Sequence, residues 1–430
     1  MKNKYYVFLS LALLCISCEN KKSEVDIPSP KAHTYVSDTL HISQEVLYDK
    51  ILGALVGSAI GDAMGAPTEM WHRKEIQLKY GYISKITPVL RPRSPEGTWA
   101  NNLMAGATTD DTRWKYVTAK YFNAHSNALN AKNFASFIVK YYQFQVKQLE
   151  MEVLKTSPDA LDNPIEKINW IKEWARVAIA YEKGPEDYQQ ALNRFYGGEI
   201  SCAGQLYTPM FAFVATNPDH AYKMAYDHAL FDIGYGKDIS ALVSAMTHMA
   251  MRTQNMDSII NVAAFIDPHG YQDSRLVGRI SYGIAENSIK NVLAIREKML
   301  VDSLMVKDSI TFKVPNGYPE TKMEWVRQEL VYQLLEDSEN AIAFQAAEIW
   351  QILIMGMQFG QGDFEKTLQF IVNYGRDNDT VAAIAGMILG AKDGYAALPQ
   401  PLKEEILQVN KESLGIDLVA LAQELTENIH

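Results

Sequence analysis

The chain has 430 residues, of which 47% are hydrophobic, and its formal net charge is −10. This length and apolar content are sufficient for a large buried core. The acidic balance excludes a protein that binds nucleic acid through a basic surface.

The first residues have the pattern of an export signal. Two lysines precede an apolar run over residues 5–16, which is shorter than the roughly 20 residues of a membrane span. The run ends at Ser17 and Cys18, and a small residue before a cysteine at this point resembles a bacterial lipoprotein cleavage site. We therefore expect residues 1–17 to be a lipoprotein signal peptide and Cys18 to be the lipidated first residue. An ordinary secretory signal with incidental cysteines is the alternative.

The same signal predicts a location. A lipidated Cys18 would place the protein in the periplasm or at the outer membrane or cell surface, touching the membrane through this N-terminal lipid anchor only. Residues 18–42 are polar and include Pro28 and Pro30, so we expect a tether. Cleavage would leave Cys202 as the only free thiol, so no intramolecular disulfide is expected, and Cys202 is interpreted as a small packing residue.

Residues 43–430 have the pattern of a single, largely all-α domain, because helical periodicity recurs with no linker between the segments. Ser43 is expected to cap the first helix, in which Gly53, Gly57 and Gly61 recur every four residues and so share one face. Charged residues interrupt this run. We therefore expect the glycines to allow close packing in a soluble core rather than association within a membrane.

Further segments of the body have helical periodicity. They cover residues 111–123, 134–148, 164–182, 218–230, 239–252, 276–301, 341–356, 364–373, 380–392 and 402–409. Strand patterns are scarce: residues 83–89 are ambiguous, and a local pairing is possible for residues 309–314. The loop over residues 91–106 is interpreted as a surface loop, with nucleotide contacts from Trp99 and its arginines as the alternative.

The first helix is expected to end in a tight turn over residues 60–69, because this stretch contains two glycines and Pro67. The turn carries Asp62 and Glu69. Taken alone, it is equally compatible with an exposed turn and with a functional site.

Two short acidic stretches carry most of the functional signal. The first, over residues 109–112 with the sequence Thr-Asp-Asp-Thr, precedes a helix. Thr109 suits the N-cap, and Asp110 and Asp111 suit the positive end of the helix dipole. Adjacent carboxylates and hydroxyls are also the ligands that Mg²⁺ or Mn²⁺ prefers. This stretch alone leaves capping and metal binding open.

The second stretch contains Asp377, Asp379 and Thr380 and has the same two interpretations. It follows the flexible Gly375 and precedes a helix rich in alanine and glycine. Because residues i and i+2 do not share a helix face, we expect both aspartates to lie before that helix. The twelve-residue spacing and terminal glutamate of an EF-hand are missing, which argues against a calcium loop of that type.

The combination of these motifs is specific. Residues 61–69, 109–112 and 377–380, in this order, resemble the ADP-ribosylglycohydrolase family, which includes the dinitrogenase-reductase-activating glycohydrolases and the ADP-ribosyl-acceptor hydrolases. The resemblance covers roughly residues 47–401. Between the second and third motifs it consists only of helical character.

The resemblance implies a fold and a metal site. The fold would be an all-α orthogonal multi-helix bundle with a dinuclear site for two Mg²⁺ (or Mn²⁺) ions. The metal ligands would be Thr109, Asp110, Asp111, Asp377, Asp379 and Thr380. Glu69 would lie beside the metals, and either Glu69 or Asp111 would be the catalytic base. Asp62 is expected to hold the turn in shape.

The resemblance also implies an activity. We expect hydrolysis of an N- or O-glycosidic bond to ribose, in a small-molecule or protein-linked ADP-ribosyl or nucleoside substrate. The alternatives are a noncatalytic ligand-binding or structural member of the same fold and a Ca²⁺-stabilised carbohydrate-binding protein of the cell surface. Leu206 stands where family members acting on ADP-ribose often carry an arginine, and the export signal points to substrates outside the cytoplasm. The protein is expected to be a monomer without a nucleic-acid partner.

Overall fold

A computed structural model describes residues 40–90, 102–126, 128–153, 162–195, 198, 201–297 and 312–428. The predicted signal peptide, Cys18, most of the tether and residues 91–101 of the predicted surface loop lie outside these ranges. Those expectations therefore stay predictions.

The described residues form 17 α-helices and four short strands. The helices are α1 (Gln44–Gly65), α2 (Arg73–Tyr80), α3 (Asp110–His125), α4 (Ala131–Val153), α5 (Asp162–Lys183), α6 (Pro185–Leu192), α7 (Phe211–Val214), α8 (Pro218–His228), α9 (Gly234–Arg252), α10 (Met256–Ile260), α11 (Ile280–Arg296), α12 (Lys322–Glu336), α13 (Ala346–Gly360), α14 (Phe364–Tyr374), α15 (Asn378–Asp393), α16 (Gln400–Val409) and α17 (Leu418–Asn428). The strands are β1 (Trp71–His72), β2 (Val89–Leu90), β3 (Asn102–Leu103) and β4 (Gly375–Arg376).

The predicted all-α class is confirmed. The strands form two antiparallel pairs, β1 with β4 and β2 with β3, and each strand is only two residues long. Of the ambiguous stretch 83–89, only Val89 belongs to a strand. Of the second possible strand, residues 312–314 have no regular structure, and residues 309–311 lie outside the described part.

The predicted helices are present, but their bounds and number differ. The segment predicted over residues 276–301 begins as a helix only at Ile280, because Gly278 has a φ of +66° and Arg279 is extended. Helices α2, α6, α7, α10, α12 and α17 were not predicted. In α12 the buried face carries Glu329, whose carboxylate pairs with Arg73 at 2.9 Å, so the apolar periodicity is interrupted where the helix packs.

Helix α1 begins as predicted, because the hydroxyl of Ser43 accepts a hydrogen bond from the amide of Val46 at 3.3 Å. By length and composition, the segment Gln44–Thr68 is apolar enough to span a membrane, yet its most apolar window is 100% buried inside the protein. In this fold its apolar residues belong to the core.

Helices α1 and α15 run antiparallel with their backbones in contact. A Cβ atom added to Gly57 would lie 2.3 Å from the carbonyl oxygen of Gly386, and one added to Gly390 would lie 2.0 Å from that of Gly53. Real Cβ atoms do not approach other atoms so closely. The prediction that these glycines allow close packing in the core is therefore confirmed.

The antiparallel pair brings the C-terminal end of α1 next to the N-terminal end of α15. A Cβ atom at Gly65 would lie 2.3 Å from the Cα of Asp379. The first predicted motif is thus packed directly against the third, although more than 300 residues separate Gly65 from Asp379.

Candidate functional site

The loop that carries Glu69 is pinned to the segment that carries Asp377. Strands β1 and β4 pair, and the amide of Met70 donates a hydrogen bond to the carbonyl oxygen of Arg376 at 2.7 Å. Met70 and Arg376 have φ values of 64° and 62°. This left-handed conformation costs a non-glycine residue roughly 1–2 kcal/mol. A strained residue therefore directly follows Glu69, and another directly precedes Asp377.

Arg376 has contacts that offset this strain. Its Nε donates to Glu348 Oε1 at 2.6 Å, and its Nη2 donates to Glu348 Oε2 at 3.1 Å and to the carbonyl oxygen of Asn340 at 2.6 Å. A two-point guanidinium–carboxylate contact fixes the direction of the arginine as well as its distance. Arg376 therefore holds the backbone that presents Asp377.

Asp62 positions the start of α3. Its carboxylate accepts hydrogen bonds from the Thr109 amide and hydroxyl, each at 3.0 Å, and from the Thr112 amide at 3.1 Å and hydroxyl at 2.6 Å. Asp62 is fully buried, and this burial raises the pKa of its carboxyl group, while the hydrogen bonds from the two threonines oppose the rise. Asp62 thus joins α1 to the acidic stretch at residues 109–112.

The third motif starts α15 differently from the prediction. The helix begins at Asn378, so Asp377 precedes it, but Asp379 lies in its first turn. The expectation that both aspartates lie before the helix is wrong for Asp379. Asp377 has a non-helical backbone, with φ −80° and ψ 61°, so the helix-face rule does not apply to the pair. The Asn378 amide group anchors this start through Thr68 Oγ1 and the Val372 carbonyl oxygen, each at 2.9 Å.

Hydrogen bonds connect the two acidic stretches directly. The Thr380 hydroxyl donates to Asp111 Oδ2 at 3.0 Å, and the Thr109 hydroxyl lies 3.5 Å from Asp379 Oδ2. The N-terminal ends of α3 and α15 both lie here, and their positive dipole ends favour carboxylates. The two stretches therefore form one acidic region.

Three carboxylates of this region are arranged as a cation would require. Glu69, Asp377 and Asp379 each offer an oxygen atom, and these oxygens all lie within 4.8 Å of one another. The three residues are only 4%, 4% and 2% exposed. Buried like charges at this distance repel strongly unless a cation or protons compensate them. An oxygen-only set of carboxylates fits a hard divalent cation such as Mg²⁺ or Mn²⁺.

The acidic region is the floor of a cavity of about 150 Å³. The lining residues are Glu69, Met70, Asp110, Asp111, Asn169, Trp170, Glu173, Trp174, Leu206, Phe344, Asp377, Asp379 and Thr380. The cavity is thus lined by every predicted site residue of the body except Thr109. The Thr109 hydroxyl donates to Asp62 Oδ1, and Thr109 is not among the lining residues.

Comparisons with known proteins give the family. A family model described as ADP-ribosylglycohydrolase matches residues 43–430. The chain belongs to the ADP-ribosylglycohydrolase family.

Relatives and a solved structure agree with this membership. The chain is 24% identical to an uncharacterised protein, YegU, of Escherichia coli (strain K12), over 87% of this chain and 97% of YegU. It is 22% identical to an uncharacterised protein of Archaeoglobus fulgidus, over 81% of this chain and 88% of the relative. A solved chain titled "ADP-ribosylglycohydrolase-related protein complex" superposes with a TM-score of 0.53 and 16% identity, covering 90% of this chain and 100% of that chain. This last likeness concerns the fold, and it confirms the helical bundle expected for the family.

One wall of the cavity was missed by the sequence analysis. Helix α5 contributes Asn169, Trp170, Glu173 and Trp174, which are two pairs of residues four apart and so lie on one helix face. Both tryptophans pack on the buried Trp114 of α3, with ring centroids 5.5 Å and 4.5 Å apart. The helix that starts with the acidic stretch therefore also supports this wall.

Leu206 belongs to the same wall, at the end of the 3₁₀ turn Ala203–Leu206. The Asp232 carboxylate supports this turn by accepting hydrogen bonds from the Gly204 amide at 3.0 Å and the Ser240 hydroxyl at 2.6 Å. Burial raises the pKa of Asp232 to about 7. The neighbouring Cys202 is buried, with its Sγ 3.7 Å from Asp377 Oδ2. Its burial agrees with a packing role, close to the acidic floor.

A buried lysine beneath the floor was also missed. Lys115 is 2% exposed, and its Nζ donates to the main-chain oxygen of Asp111 at 2.9 Å and lies 3.8 Å from Asp111 Oδ1. Burial lowers the pKa of Lys115, whereas the nearby aspartates, first among them Asp111, raise it. Its position four residues after Asp111 is the only sequence signal for this contact. Lys115 thus places a basic group next to the proposed ligands.

Proposed function

We propose that the protein is a divalent-metal-dependent hydrolase that cleaves the N- or O-glycosidic bond to a ribose. The observation that carries the proposal is the buried set of Glu69, Asp377 and Asp379 on the floor of the cavity. Membership of the ADP-ribosylglycohydrolase family supports a glycosidic bond as the target. ADP-ribosyl conjugates, small or protein-linked, are the substrate class that the family name indicates.

The donor set fits two Mg²⁺ or Mn²⁺ ions. Asp377, Asp379 and Thr380 would hold them from one side, and Asp110 and Asp111 from the other. Thr109 stays a predicted ligand, although its hydroxyl faces Asp62. When bound, such ions supply Lewis acidity, orient hydroxyl groups and lower the pKa of water.

The remaining catalytic roles are assigned to individual residues of the chain. We assign the general base to Glu69, which lies on the floor in the loop that follows α1. Asp111 accepts a hydrogen bond from Thr380 and lies next to Lys115, so we assign it to ligation and positioning. Glu69 would take a proton from the attacking water while the bond from the anomeric carbon to the leaving group breaks, and this proton would then pass to the leaving group, which restores the Glu69 carboxylate. The acidic floor would stabilise the positive charge that develops on the ribose ring.

The test uses the full chain after removal of metal, with ADP-ribosyl and ribosyl conjugates as substrates. We expect release of ADP-ribose or ribose only after addition of Mg²⁺ or Mn²⁺, and loss of release with EDTA. The variants Asp110→Asn and Asp379→Asn should lose activity and metal affinity, whereas Asp257→Asn, an exposed residue of α10, should retain both.

The outcomes separate the alternatives. A protein that contains no metal and whose stability does not respond to EDTA would contradict the proposal. Metal binding without turnover of any ribosyl substrate would instead favour a noncatalytic ligand-binding member of the fold at the cell surface.

We further propose that the protein is an exported lipoprotein, anchored through Cys18, that acts as a monomer. The N-terminal sequence supports the anchor. Metabolic labelling with a radioactive fatty acid tests it: label on the wild-type chain and none on Cys18→Ala is the expected result. Equal labelling of both chains, or of neither, would contradict the anchor.

A further inference from the structure

We infer that Arg376 is a positioning residue that fastens the loop carrying Phe344 to the backbone that presents Asp377. One side chain thus holds a part of the floor and a part of the aromatic wall, to which Phe344 belongs as a lining residue. The inference rests on the proposed function, because the floor and the wall take their roles from it. It is carried by the backbone conformation of Arg376, by its hydrogen bonds and by the place of Phe344 between its partners.

Arg376 stands at a position that favours glycine. Its φ of 62° lies in the left-handed region, directly after Gly375 with a φ of 88°. Glycine adopts this region without strain, whereas an L side chain is strained there. A strained residue persists when the surrounding structure holds it in place, and such residues cluster at functional sites. The contacts of the arginine side chain therefore indicate its role.

The guanidinium group of Arg376 contacts the loop between α12 and α13, residues 337–345, and the first turn of α13. Its Nη2 donates to the carbonyl oxygen of Asn340 at 2.6 Å, and its Nε and Nη2 donate to the two carboxylate oxygens of Glu348 at 2.6 Å and 3.1 Å. Glu348 Oε2 also accepts a hydrogen bond from the Asn340 amide at 2.7 Å. Arg376 and Glu348 together therefore close the segment over residues 340–348.

Phe344 stands at the centre of this closed segment. Asn340 precedes it by four residues, and Glu348 follows it by four residues. The start of α13 is also attached to the turn that carries the rest of the wall, because Gln205 Nε2 donates to the first carbonyl oxygen of the helix at 3.3 Å. The guanidinium group therefore fixes both ends of the segment that brings this aromatic ring to the cavity.

The main chain of Arg376 holds the floor. Its carbonyl oxygen accepts a hydrogen bond from the amide of Met70, the residue after Glu69, at 2.7 Å, and its peptide bond leads to Asp377. The ion pair that fixes the arginine is poorly screened, because the side chains of Arg376 and Glu348 are only 18% and 3% exposed. Loss of the guanidinium group would remove a cation from beside this buried carboxylate. The loop and the strand β4 would then lose the same fixed point.

Substitution by glycine separates the backbone strain from the side-chain contacts. In the full chain, Arg376→Gly removes both, whereas Arg376→Ala removes the contacts and keeps the strain. We expect the glycine variant to unfold at a higher urea concentration than the alanine variant, yet to bind Mn²⁺ about tenfold more weakly than the wild-type chain. At saturating Mn²⁺, its KM for ADP-ribosyl-arginine should rise by about threefold. Arg275→Gly, which replaces an exposed arginine, is the control and should leave both values unchanged.

Two further variants separate the loop from the floor. Phe344→Leu should raise KM by about threefold and leave the affinity for Mn²⁺ unchanged, because Phe344 belongs to the wall. Arg376→Lys keeps the charge but not the two-point contact with Glu348, so its Mn²⁺ affinity and its KM should lie between those of the wild-type chain and of Arg376→Gly. Wild-type Mn²⁺ affinity in Arg376→Gly, or a weaker affinity with an unchanged KM, would overturn the inference.

Hydrogen exchange measured by mass spectrometry distinguishes a failure of the inference from a failure of the proposed function, because it needs neither metal nor turnover. Peptides that cover residues 337–348 and residues 369–377 should both exchange at least about tenfold faster in Arg376→Gly than in the wild-type chain, while peptides of α9 stay unchanged. Faster exchange of both segments in a chain without hydrolase activity supports the inference and sinks the proposed function alone. Faster exchange of only one segment, or of neither, overturns the inference even in an active enzyme.

Discussion

The floor and the wall of the cavity are built in different ways. The floor consists of carboxylates near the C-terminal end of α1 and at the N-terminal ends of α3 and α15. These helix ends are joined by the hydrogen bonds of Asp62 and Asp111 and by the glycine-mediated contact between α1 and α15. The wall consists of aromatic and apolar side chains from α5, the turn Ala203–Leu206 and Phe344. Its two tryptophans are fixed by packing on Trp114, and Trp174 also packs on Phe231. The floor is therefore suited to one type of reaction. Substitutions in the wall can change which ligand binds without disturbing that reaction.

The largest expected effect is the loss of metal affinity when a carboxylate of the floor is removed. Asp379→Asn removes one charge from the three carboxylates whose oxygens lie within 4.8 Å of one another. Loss of outer-shell partners alone typically costs about 10–100-fold in metal affinity or activity, so removal of a ligand should cost at least about 100-fold. Calorimetric titration with Mn²⁺ measures this change. Asp257→Asn is the control. Equal affinity of the two variants for Mn²⁺ would show that Asp379 is not a metal ligand.

The second effect concerns the helix pair beneath the floor. Gly61→Ala would place a Cβ 2.0 Å from the carbonyl oxygen of Ala382, so we expect a loss of about 3 kcal/mol in the free energy of unfolding, or failure to fold. The matched control is Gly283→Ala in α11, where an added Cβ meets nothing within 4 Å. That change should stabilise by roughly 0.5–1 kcal/mol. Urea unfolding measures both, and similar stabilities would refute backbone contact between α1 and α15.

The third effect tests the support of the wall. Burial raises the pKa of Asp232 from 3.8 to about 7, so between these values the folded chain binds more protons than the unfolded chain. The free energy of unfolding therefore decreases as pH rises through this range and levels off above it. Between pH 5 and pH 8, the decrease in the free energy of unfolding should be smaller by roughly 2–3 kcal/mol in Asp232→Asn than in the wild-type chain. Urea unfolding at the two pH values measures it, and an unchanged decrease in Asp232→Asn would contradict the prediction.

The fourth effect concerns the charge of the floor. Lys115→Met removes a buried basic group 3.8 Å from Asp111 Oδ1, so we expect the affinity for Mn²⁺ to rise, by about tenfold or less. Lys172→Met, on the exposed face of α5, should not change it. Weaker binding in Lys115→Met would mean that the lysine positions Asp111 more than it repels the cation.

The smallest effect belongs to the wall. Trp170→Phe keeps an aromatic ring but reduces the stacking surface, so KM for a riboside should rise by about threefold. The dissociation constant of Mn²⁺ should stay unchanged, because Trp170 lies on the wall and not on the floor. Trp325→Phe, a buried change away from the cavity, controls for the loss of a tryptophan. A parallel change in metal affinity would show that wall and floor are coupled.

The difference between floor and wall also explains which features could be predicted from the sequence. The floor was predictable because most of its carboxylates stand in short runs at helix N-termini, where Thr109 and Asp377 are the N-cap residues. The class of the fold followed from helical periodicity, and the glycine contact from the spacing of Gly53, Gly57 and Gly61. Where buried charges pair, as Arg73 does with Glu329, the periodicity was interrupted and α12 was missed.

The wall could not be predicted because its residues are indistinguishable from core residues in a single sequence. Trp170 and Trp174 are spaced as core residues of an amphipathic helix, and Leu206 lies in an apolar turn. Only the arrangement of α5 against α3 turns one helix face toward the carboxylates. Lys115 has the spacing of an ordinary helix-surface charge, and its burial depends on the elements packed around α3.

Anomalous diffraction from a crystal of the full chain soaked in Mn²⁺ tests the central claim most directly. We predict a manganese peak among the carboxylate oxygens of Glu69, Asp377 and Asp379, on the cavity side of the paired ends of α1 and α15. A map with no peak among these oxygens, under conditions in which the protein is folded and the cavity is open to solvent, would contradict the account.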